Sequence, residues 1–182
     1  NLIFSHTDTA MNGNRLPVSV THYYNSCDSD KDEFGMGYGW RTSLHQTLHK
    51  VLYNGEVEFV YTDGDGTEHF FKKNKDDQKK YSDQSGLSLT LEVGDENITI
   101  TDKGDNVMTF PLVSEIPTED APETAKVLIQ KIQDAVGNEV TVTALADSPL
   151  KIASVTDGAG RLTTFHYPDG RCDRIRTPWQ DE

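Results

Sequence analysis

The sequence of 182 residues is long enough for one domain with a buried core, but only 35% of its residues are hydrophobic and its mean hydropathy is -0.61. A chain with so few hydrophobic residues gains little free energy from burying them to offset the conformational entropy lost on folding. We therefore expect residues 1–182 to be a single fragment of a larger protein. The net charge of -13 argues against a nucleic-acid partner, because binding a phosphate backbone requires clustered Lys and Arg. No apolar run approaches the roughly 20 residues that span a bilayer, so we expect no membrane insertion by this segment.

Alternating apolar and polar residues predict β-strands along residues 1–113. The stretch Pro17–Tyr24 is rich in β-branched and aromatic residues, which favour strands. Val57, Phe59 and Tyr61 alternate with Glu56, Glu58 and Val60, and Leu87, Leu89, Leu91 and Val93 alternate with polar residues in the same way. This period of two predicts strands with one buried face and one wetter face.

The segment from Trp40 to Leu52 is ambiguous. Its apolar residues Trp40, Leu44, Leu48 and Leu52 recur every four residues, a spacing that also fits a helix face. Thr42, Thr47, Val51 and Tyr53 favour a strand instead. We therefore predict one long strand.

Turn sequences rich in Gly, Asn and Asp separate the predicted strands at short intervals. They are Asn12-Gly13, Asn54-Gly55, Asp63-Gly64-Asp65-Gly66, Gly94–Asn97, Lys103–Asn106, Gly137-Asn138, Asp157–Gly160 and Asp169-Gly170. These residue types tolerate the positive φ angles of tight hairpin turns. The pattern predicts an all-β fold, a succession of antiparallel β-hairpins forming an extended, curved sheet, with at most one or two short helical turns. The prolines and acidic residues of 114–125 predict an exposed connector.

Two segments of the last third repeat each other. Ile132–Val142 matches Val155–Phe165, and a partial third copy begins at Tyr167. Each copy has an Asp that can accept backbone hydrogen bonds and a Gly suited to a left-handed position, followed by a returning strand. The turn residues are Asp134, Gly137 and Asn138 in the first copy, Asp157, Gly160 and Arg161 in the second, and Asp169 and Gly170 in the third. Looser echoes occur at Tyr61–Thr67 and Ile100–Asn106. A lone hairpin is marginal in water, so such units are expected to stack and to share a buried face.

The segment Val155-Thr-Asp-Gly-Ala-Gly-Arg-Leu-Thr-Thr-Phe-His-Tyr resembles a YD repeat, and Lys131–Asn138 resembles the copy that precedes it in rearrangement-hot-spot (RHS) proteins. The segments Asn1–Asp8, Leu16–Ser26, Phe34–Trp40 and Tyr61–Thr67 are similar to the region that often leads into such repeats. Tyr167-Pro168-Asp169 departs from the family, which usually has Tyr-Asp there. The resemblance implies an N-terminal RHS-type β region at 1–113, the connector at 114–125 and YD-like repeats at 126–178.

The same resemblance implies a function and a location. It implies a non-catalytic wall segment of a β-shell in a large, secreted or cell-surface bacterial protein, where the shell encloses or displays a C-terminal toxin or mediates cell contact. The expected partners are the rest of the parent chain, including such a toxin, and no cofactor is implied. A carbohydrate-binding module of a cell-wall protein is the alternative, and a hydrolase with an unfamiliar site is a weaker third possibility.

Several residues are candidates for metal or sugar binding. Asp28, Asp30 and Asp32 have the alternation of a calcium loop, but Glu33 and Gly39 stand where an EF-hand has Gly and Glu, so a solvated loop is favoured. The loop at Asp63–Thr67 fails the same test and is predicted to be a hairpin tip. His45 and His49 would lie about 13 Å apart on a strand, which favours surface or cross-strand histidines over a metal site.

The aromatic residues Tyr38 and Trp40, with Tyr23 and Tyr24, could stack on sugars, although packing on a sheet face is favoured. Cys27 and Cys172 have no short spacing, so two unpaired thiols are favoured over a disulfide. No sequence motif of a known catalytic site is present, so we expect no enzyme activity.

Overall fold

The computed structural model describes residues 2–10 and 15–178, and within these ranges the chain is almost entirely β. One short 3₁₀ helix occupies Ser26–Asp28. The strands are β1 Ile3–Ala10, β2 Ser19–Asn25, β3 Trp40–Thr42, β4 Thr47–Tyr53, β5 Glu56–Thr62, β6 Glu68–Lys73, β7 Lys80–Asp83, β8 Thr90–Val93, β9 Asn97–Thr101, β10 Val107–Pro111, β11 Val127–Leu128, β12 Lys131–Gln133, β13 Glu139–Leu145, β14 Ser148–Thr156, β15 Leu162–His166 and β16 Arg174–Arg176. The predicted all-β, antiparallel fold is confirmed. The predicted Asn12-Gly13 turn lies outside the described residues.

The chain forms two compact units. The first comprises Asn1–His45, Gly64–Gly66 and Asn138–Glu182, and the second comprises Gln46–Asp63 and Thr67–Gly137. The first unit therefore contains β1 to β3 together with the second and third repeat copies. Each unit is described separately below.

The second unit is one antiparallel ladder in the order β11-β4-β5-β6-β7-β8-β9-β10-β12. Strands β4 and β5 pair from Thr47 opposite Thr62 to Tyr53 opposite Glu56. The intervening Asn54 and Gly55 have φ angles of 50° and 79°. Positive φ at both central residues is what a two-residue turn needs to follow the twist of its strands, which explains the Asn-Gly sequence there.

The core of the second unit lies on one face of this ladder. The strand registers bring together Leu48, Phe59, Tyr61, Phe71, Tyr81, Leu91, Ile98, Ile100 and Phe110, all of them buried. The ring of Tyr61 on β5 lies 5.9 Å from that of Phe110 on β10, although four strands separate these two in the ladder. The sheet of this unit is therefore strongly curved around its own apolar face.

The prediction that β5 has one buried and one wetter face is wrong. Glu58 is only 4% exposed and Val60 is also buried, so both faces of β5 are covered. The buried Glu58 carboxylate lies 3.6 Å from the ammonium of Lys72, directly across β5 and β6. A buried carboxylate requires such a partner, which explains how a charged residue occupies this position.

The strand predicted to begin at Leu87 begins instead at Thr90. The Asp83 carboxylate accepts hydrogen bonds from the backbone N–H groups of Ser85 (2.8 Å) and Leu87 (2.7 Å). This turn leaves Leu87 exposed and places Ser88 at a φ of 58°. The alternation of leucines was therefore misleading at its first position.

The prediction of one long strand from Trp40 to Leu52 is also wrong. The chain turns between β3 and β4, where the N–H of His45 donates to the carbonyl of Thr42 (2.9 Å). The N–H of Thr42 donates to Nδ1 of His45 (3.0 Å). These bonds close the turn through a side chain, and β3 and β4 belong to different units.

The first unit contains the sheet β1-β2-β3 and the ladder β13-β14-β15-β16. One face of the ladder buries Val140, Val142, Val155, Thr163 and Phe165. The opposite face carries Thr141, Thr143 and the exposed Leu162. These hairpins therefore share one apolar face, as units that are marginal alone must.

The segment 114–125 is irregular, and most of its side chains are exposed. Its backbone is nevertheless tied to β4: Leu52 N–H donates to the carbonyl of Pro122 (2.8 Å) and Thr124 N–H to that of Lys50 (3.0 Å). The Lys50 ammonium donates to the carbonyls of Val113 (2.5 Å) and Glu115 (3.1 Å).

In the described ranges, no helix is long and apolar enough to cross a membrane.

Candidate functional site

Three hairpin turns share one hydrogen-bonding pattern around an aspartate. The N–H groups of Asp63, Asp102 and Asp157 donate to the carbonyls of Thr67 (3.0 Å), Asn106 (3.1 Å) and Arg161 (3.0 Å), respectively. In return, the N–H groups of those three residues donate to Oδ1 of the aspartate, at 3.0, 3.0 and 2.9 Å. The aspartate side chain thus closes the turn that its own backbone opens, and the turn spans the same number of residues each time.

The Asp157 turn is the most buried of the three. Its carboxylate also accepts from the N–H of Ala159 (2.9 Å) and from Nε of Arg161 (2.6 Å), and Asp157 is only 3% exposed. Burial acts to raise the pKa of Asp157, but the hydrogen bonds from Arg161 and Ala159 outweigh it and hold the pKa below its usual value. The side chains of Asp157 and Arg161, two of the predicted turn residues, thus form one structural pair.

Asp102 has a similar arrangement with a neutral partner. Nδ2 of Asn106 donates to its Oδ2 (2.9 Å), and the N–H of Gly104 donates to its Oδ1 (2.7 Å). The Asn106 side chain is the main cause that keeps the pKa of Asp102 lowered. The residue four positions after the aspartate therefore bonds the carboxylate in both turns.

The first repeat copy makes two of the bonds of the Asp157 turn, whereas the third copy is closed differently. Oδ1 of Asp134 accepts from the N–H of Val136 (3.1 Å), and its carbonyl accepts from the N–H of Gly137 (3.0 Å). Asp169 is exposed, and the turn from β15 to β16 is closed instead by Asp173 N–H donating to the His166 carbonyl (3.0 Å).

Two of these turns have a glycine pressed against another segment of the first unit. A Cβ on Gly64 would overlap the carbonyl of Ser43, and one on Gly158 would overlap that of Arg15. The positions after Asp102 and Asp134 are Lys103 and Ala135, which carry side chains. At Asp63-Gly64 and Asp157-Gly158, the glycine therefore allows another segment to approach closely, which the sequence alone did not reveal.

The three carboxylates proposed for calcium are not brought together. Asp28 Oδ2 accepts from Nδ2 of Asn25 (3.0 Å), whereas Asp30 is exposed. Asp32 accepts from the N–H of Gly37 (2.9 Å) and from Nε of Arg171 (2.9 Å). Across residues 2–10 and 15–178, no three His, Cys, Asp or Glu side chains are grouped as a metal site of those residue types would require.

The two residues proposed as a sugar platform have different neighbours. Trp40 packs against Tyr24, Phe4 and His22, with ring centroids 5.2, 6.2 and 6.4 Å away. Tyr38 is 54% exposed, and the guanidinium of Arg171 lies over its ring at 5.0 Å. Phe4 and His22 reach Trp40 through the pairing of β1, β2 and β3, which no sequence signal predicted.

His45 and His49 are both buried, so neither takes the surface position that was one of the two favoured outcomes. His45 is fully buried. Its ring is tilted against that of Phe34, with the ring centroids 4.6 Å apart, and its carbonyl accepts from a guanidinium nitrogen of Arg41 (2.6 Å). Burial, with the nearby charge of Arg41 and His22, holds the pKa of His45 well below its usual value. His49 lies on β4, opposite Val60 of β5. Both histidines belong to the packing of the fold.

An open cavity of about 320 Å³ in the first unit brings together side chains from four segments of the chain. Its walls include Asp8, His22, Met36, Cys172 and Arg174. Both cysteines are free thiols, Cys27 exposed and Cys172 half-buried, so they do not form a disulfide. Burial raises the pKa of the Cys172 thiol. Sequence reasoning missed this cavity because its residues meet only through tertiary structure.

Comparison with known protein families gives one match. Residues 1–71 match the model of a domain of unknown function, DUF6531. This segment includes β1 to β5, the Asp63 turn and the first strand residues that follow it. No curated protein matches the chain in sequence.

Proposed function

We propose that this chain is a non-catalytic structural segment of a large secreted or cell-surface bacterial protein of the RHS or YD-repeat kind. In that protein it forms part of the wall of a β-shell that encloses or displays a C-terminal toxin or mediates cell contact. The proposal rests on the YD-like sequence of residues 126–178 and on the fold that accompanies it.

The observation that carries the proposal is the recurrence of one aspartate-closed turn at Asp63, Asp102 and Asp157. A wall built from successive hairpins needs a turn of constant length, because a changed length shifts the register and moves the apolar residues to the wrong face. The hairpins share buried faces within each unit, which is how repeated units gain stability from their neighbours.

The test uses the full-length parent protein. Asp157→Asn removes the charge that binds Arg161, and Asp169→Asn makes the same change at an exposed turn residue of the next copy. If the segment is part of an enclosing wall, limited proteolysis should cleave the C-terminal domain of the Asp157→Asn protein faster than that of the wild type. The Asp169→Asn protein should behave as the wild type does. Equal cleavage of all three would refute the shell role.

Carbohydrate binding is a second candidate because exposed aromatic rings lie on the first unit. Phe4 is 53% exposed beside Trp40, and Tyr38 is more than half exposed. Exposed aromatic faces can stack on sugar rings. A glycan array probed with the wild-type chain and with Tyr38→Ala and Phe4→Ala variants tests this; binding that neither variant weakens would reject these rings as the platform.

A further inference from the structure

Strands β5 and β6 of the second unit pair over only part of their length. The ladder between them stops at the pair of Phe59 and Phe71, although β5 extends to Glu56 and β6 extends to Lys73. The ends of both strands remain paired on their other sides, β5 with β4 and β6 with β7. The two strands therefore part at this point and leave a gap in the sheet, which we call the β5–β6 cleft.

The β5–β6 cleft is an open cavity of about 640 Å³, and ligand pockets commonly have volumes of roughly 300–1,000 Å³. Its charged lining residues are Lys72, Lys73, Lys75, Glu56 and Glu58. Three positive and two negative side chains give the cleft a small excess of positive charge, whereas the whole chain has a net charge of -13. The cleft is therefore a favourable place for an anionic group on an otherwise acidic protein.

Two polar side chains in the wall of the cleft are at least nine-tenths buried and lack hydrogen bonds. Tyr81 is 9% exposed, and the side chain of Glu58 is 5% exposed. Among the described residues, none makes a hydrogen bond to the Tyr81 hydroxyl or to the Glu58 carboxylate, since the Lys72 ammonium at 3.6 Å forms only an ion pair. Buried polar groups normally have hydrogen-bond partners, so a ligand in the cleft is a natural source of them.

The strand register places the lining side chains around the gap. Lys73 lies directly opposite Tyr81, whose ring packs edge-on against Phe59 at 4.9 Å. Glu58 and Lys72 point to the other face of the sheet, because side chains alternate along a strand. Both pairs line one cleft because β5 and β6 have parted between them. Burial raises the pKa of Tyr81, so its hydroxyl stays protonated and can donate a hydrogen bond.

The groups in the cleft decide which ligand suits it. In the part of the chain that the structure describes, Lys73 and Lys75 have no ion-pair partner, so they can bind an anionic group. A simple anion leaves Glu58 and Tyr81 without hydrogen bonds, and a neutral sugar leaves the two ammonium groups unpaired. A ligand that carries a carboxylate next to several hydroxyl groups satisfies all four side chains.

We infer that the β5–β6 cleft binds an acidic saccharide, a sugar that carries a carboxylate. This carboxylate pairs with Lys73 and Lys75, one sugar hydroxyl donates to Glu58 and another accepts from Tyr81. The site belongs to the second unit, whereas the exposed aromatic rings considered above for sugar binding belong to the first. It is also independent of the shell role, so each proposal can fail without the others.

The direct test is isothermal titration calorimetry of the purified chain with three probes at low ionic strength. The probes are digalacturonate, its neutral counterpart galactobiose, and acetate as a simple carboxylate. We expect one digalacturonate to bind per chain, with galactobiose and acetate weaker by about 10-fold or more. Added salt should weaken the binding of digalacturonate, because it screens the ammonium groups. Galactobiose or acetate binding as tightly as digalacturonate, or no heat from digalacturonate at about 10 mM, would overturn the proposal.

Matched variants locate the binding in the cleft. Tyr81→Phe removes the hydroxyl and keeps the ring on Phe59, so it should weaken digalacturonate binding by about 5-fold. Lys73→Gln and Lys75→Gln should weaken it by about 3-fold each. Lys103→Gln, which removes an exposed lysine from a different turn, should leave the affinity unchanged.

Two further controls separate this site from the other sugar-binding candidate. Tyr38→Ala and Phe4→Ala, which remove the exposed rings of the first unit, should not alter the affinity for digalacturonate. Circular dichroism of each variant shows whether it is folded. If the folded Tyr81→Phe and Lys73→Gln variants bind as tightly as wild type, or if Lys103→Gln weakens binding as much as they do, the cleft is not the site.

Discussion

Gly64 lies against the backbone of Ser43, so closely that a Cβ at this glycine would stand 2.8 Å from the Ser43 Cα. This contact lies within the first unit, between Gly64 and the segment that follows β3. We predict that Gly64→Ala lowers the free energy of unfolding by about 1–3 kcal/mol, because backbone atoms have little freedom to move away. Urea denaturation followed by circular dichroism measures the change.

Gly104→Ala is the matched control for that prediction. Gly104 occupies an Asp turn as well, but the nearest atoms to a Cβ there are the side-chain ends of Asn106 and Asp102, at 3.2 and 3.3 Å. These side-chain atoms are hydrogen-bonded within the turn, but at these distances they need to shift by only a few tenths of an ångström, so the substitution should cost clearly less than Gly64→Ala. An equal loss at both glycines would show that backbone freedom, and not contact with Ser43, accounts for the effect.

The neighbours Phe70 and Phe71 give a second prediction, because they lie on opposite faces of β6. Phe71 is 0% exposed and pairs with Phe59 across the ladder, whereas Phe70 is 40% exposed. Phe71→Ala should destabilise the second unit by about 3–5 kcal/mol, the usual cost of deleting a buried phenyl ring. Phe70→Ala should cost much less. Similar midpoints of urea denaturation for the two variants would contradict the assignment of the core face.

The Asp157 turn gives a third prediction. Asp157→Asn keeps the size of the side chain but removes the negative charge of the carboxylate, which accepts hydrogen bonds from the Arg161 side chain and from two backbone N–H groups. We therefore expect the free energy of unfolding to fall by about 2 kcal/mol. The same change at exposed Asp169 should alter stability by less than about 0.5 kcal/mol. Chemical denaturation of both variants measures the two changes in stability. A larger loss of stability for Asp169→Asn than for Asp157→Asn would mean that the third copy depends on its aspartate.

The sequence predicted features that depend on neighbouring residues along the chain. The Asn54-Gly55 turn and the Asp157 turn follow from residue types that favour positive φ or accept backbone hydrogen bonds within a few positions. The alternation of Phe59, Tyr61 and their neighbours identified the apolar face of the second unit. Such signals survive in a single sequence because each is complete within one hairpin.

Features that depend on distant segments could not be predicted in this way. The regular spacing of leucines after Trp40 gave no sign of the turn that the His45 side chain closes. Periodicity reports which residues share a face and does not report hydrogen bonds from a side chain to the backbone. Glu58 is buried because Lys72 of the next strand faces it. The cavity at Cys172 requires residues from β1, β2 and the C-terminal part to meet, and only the coordinates show that they do.

The buried His45 gives the last prediction, a loss of stability in mild acid. Thr42 N–H donates to its Nδ1 at 3.0 Å and the Thr42 hydroxyl lies 2.8 Å from the same atom, so protonating Nδ1 removes an acceptor and places a second cation near Arg41. The pKa of His45 is therefore lower in the folded chain than the ordinary value of 6.5. The unfolded chain binds the extra proton first, so this stability is fully present above pH 6.5 and is lost as the pH falls toward the folded pKa. The loss approaches about 1.4 kcal/mol for each pH unit below 6.5.

Urea denaturation at a series of pH values between 7.5 and 5 measures this dependence. Three carboxylates also have lowered pKa values: Asp83, Asp102 and Asp157. The stability that they provide is lost only as the pH falls below their ordinary pKa of 3.8, so they do not change the stability between pH 7.5 and 5. His45→Gln, which cannot titrate, should flatten the slope of stability against pH, whatever its effect on stability at neutral pH. A slope that persists in the His45→Gln variant would assign the acid sensitivity to another group.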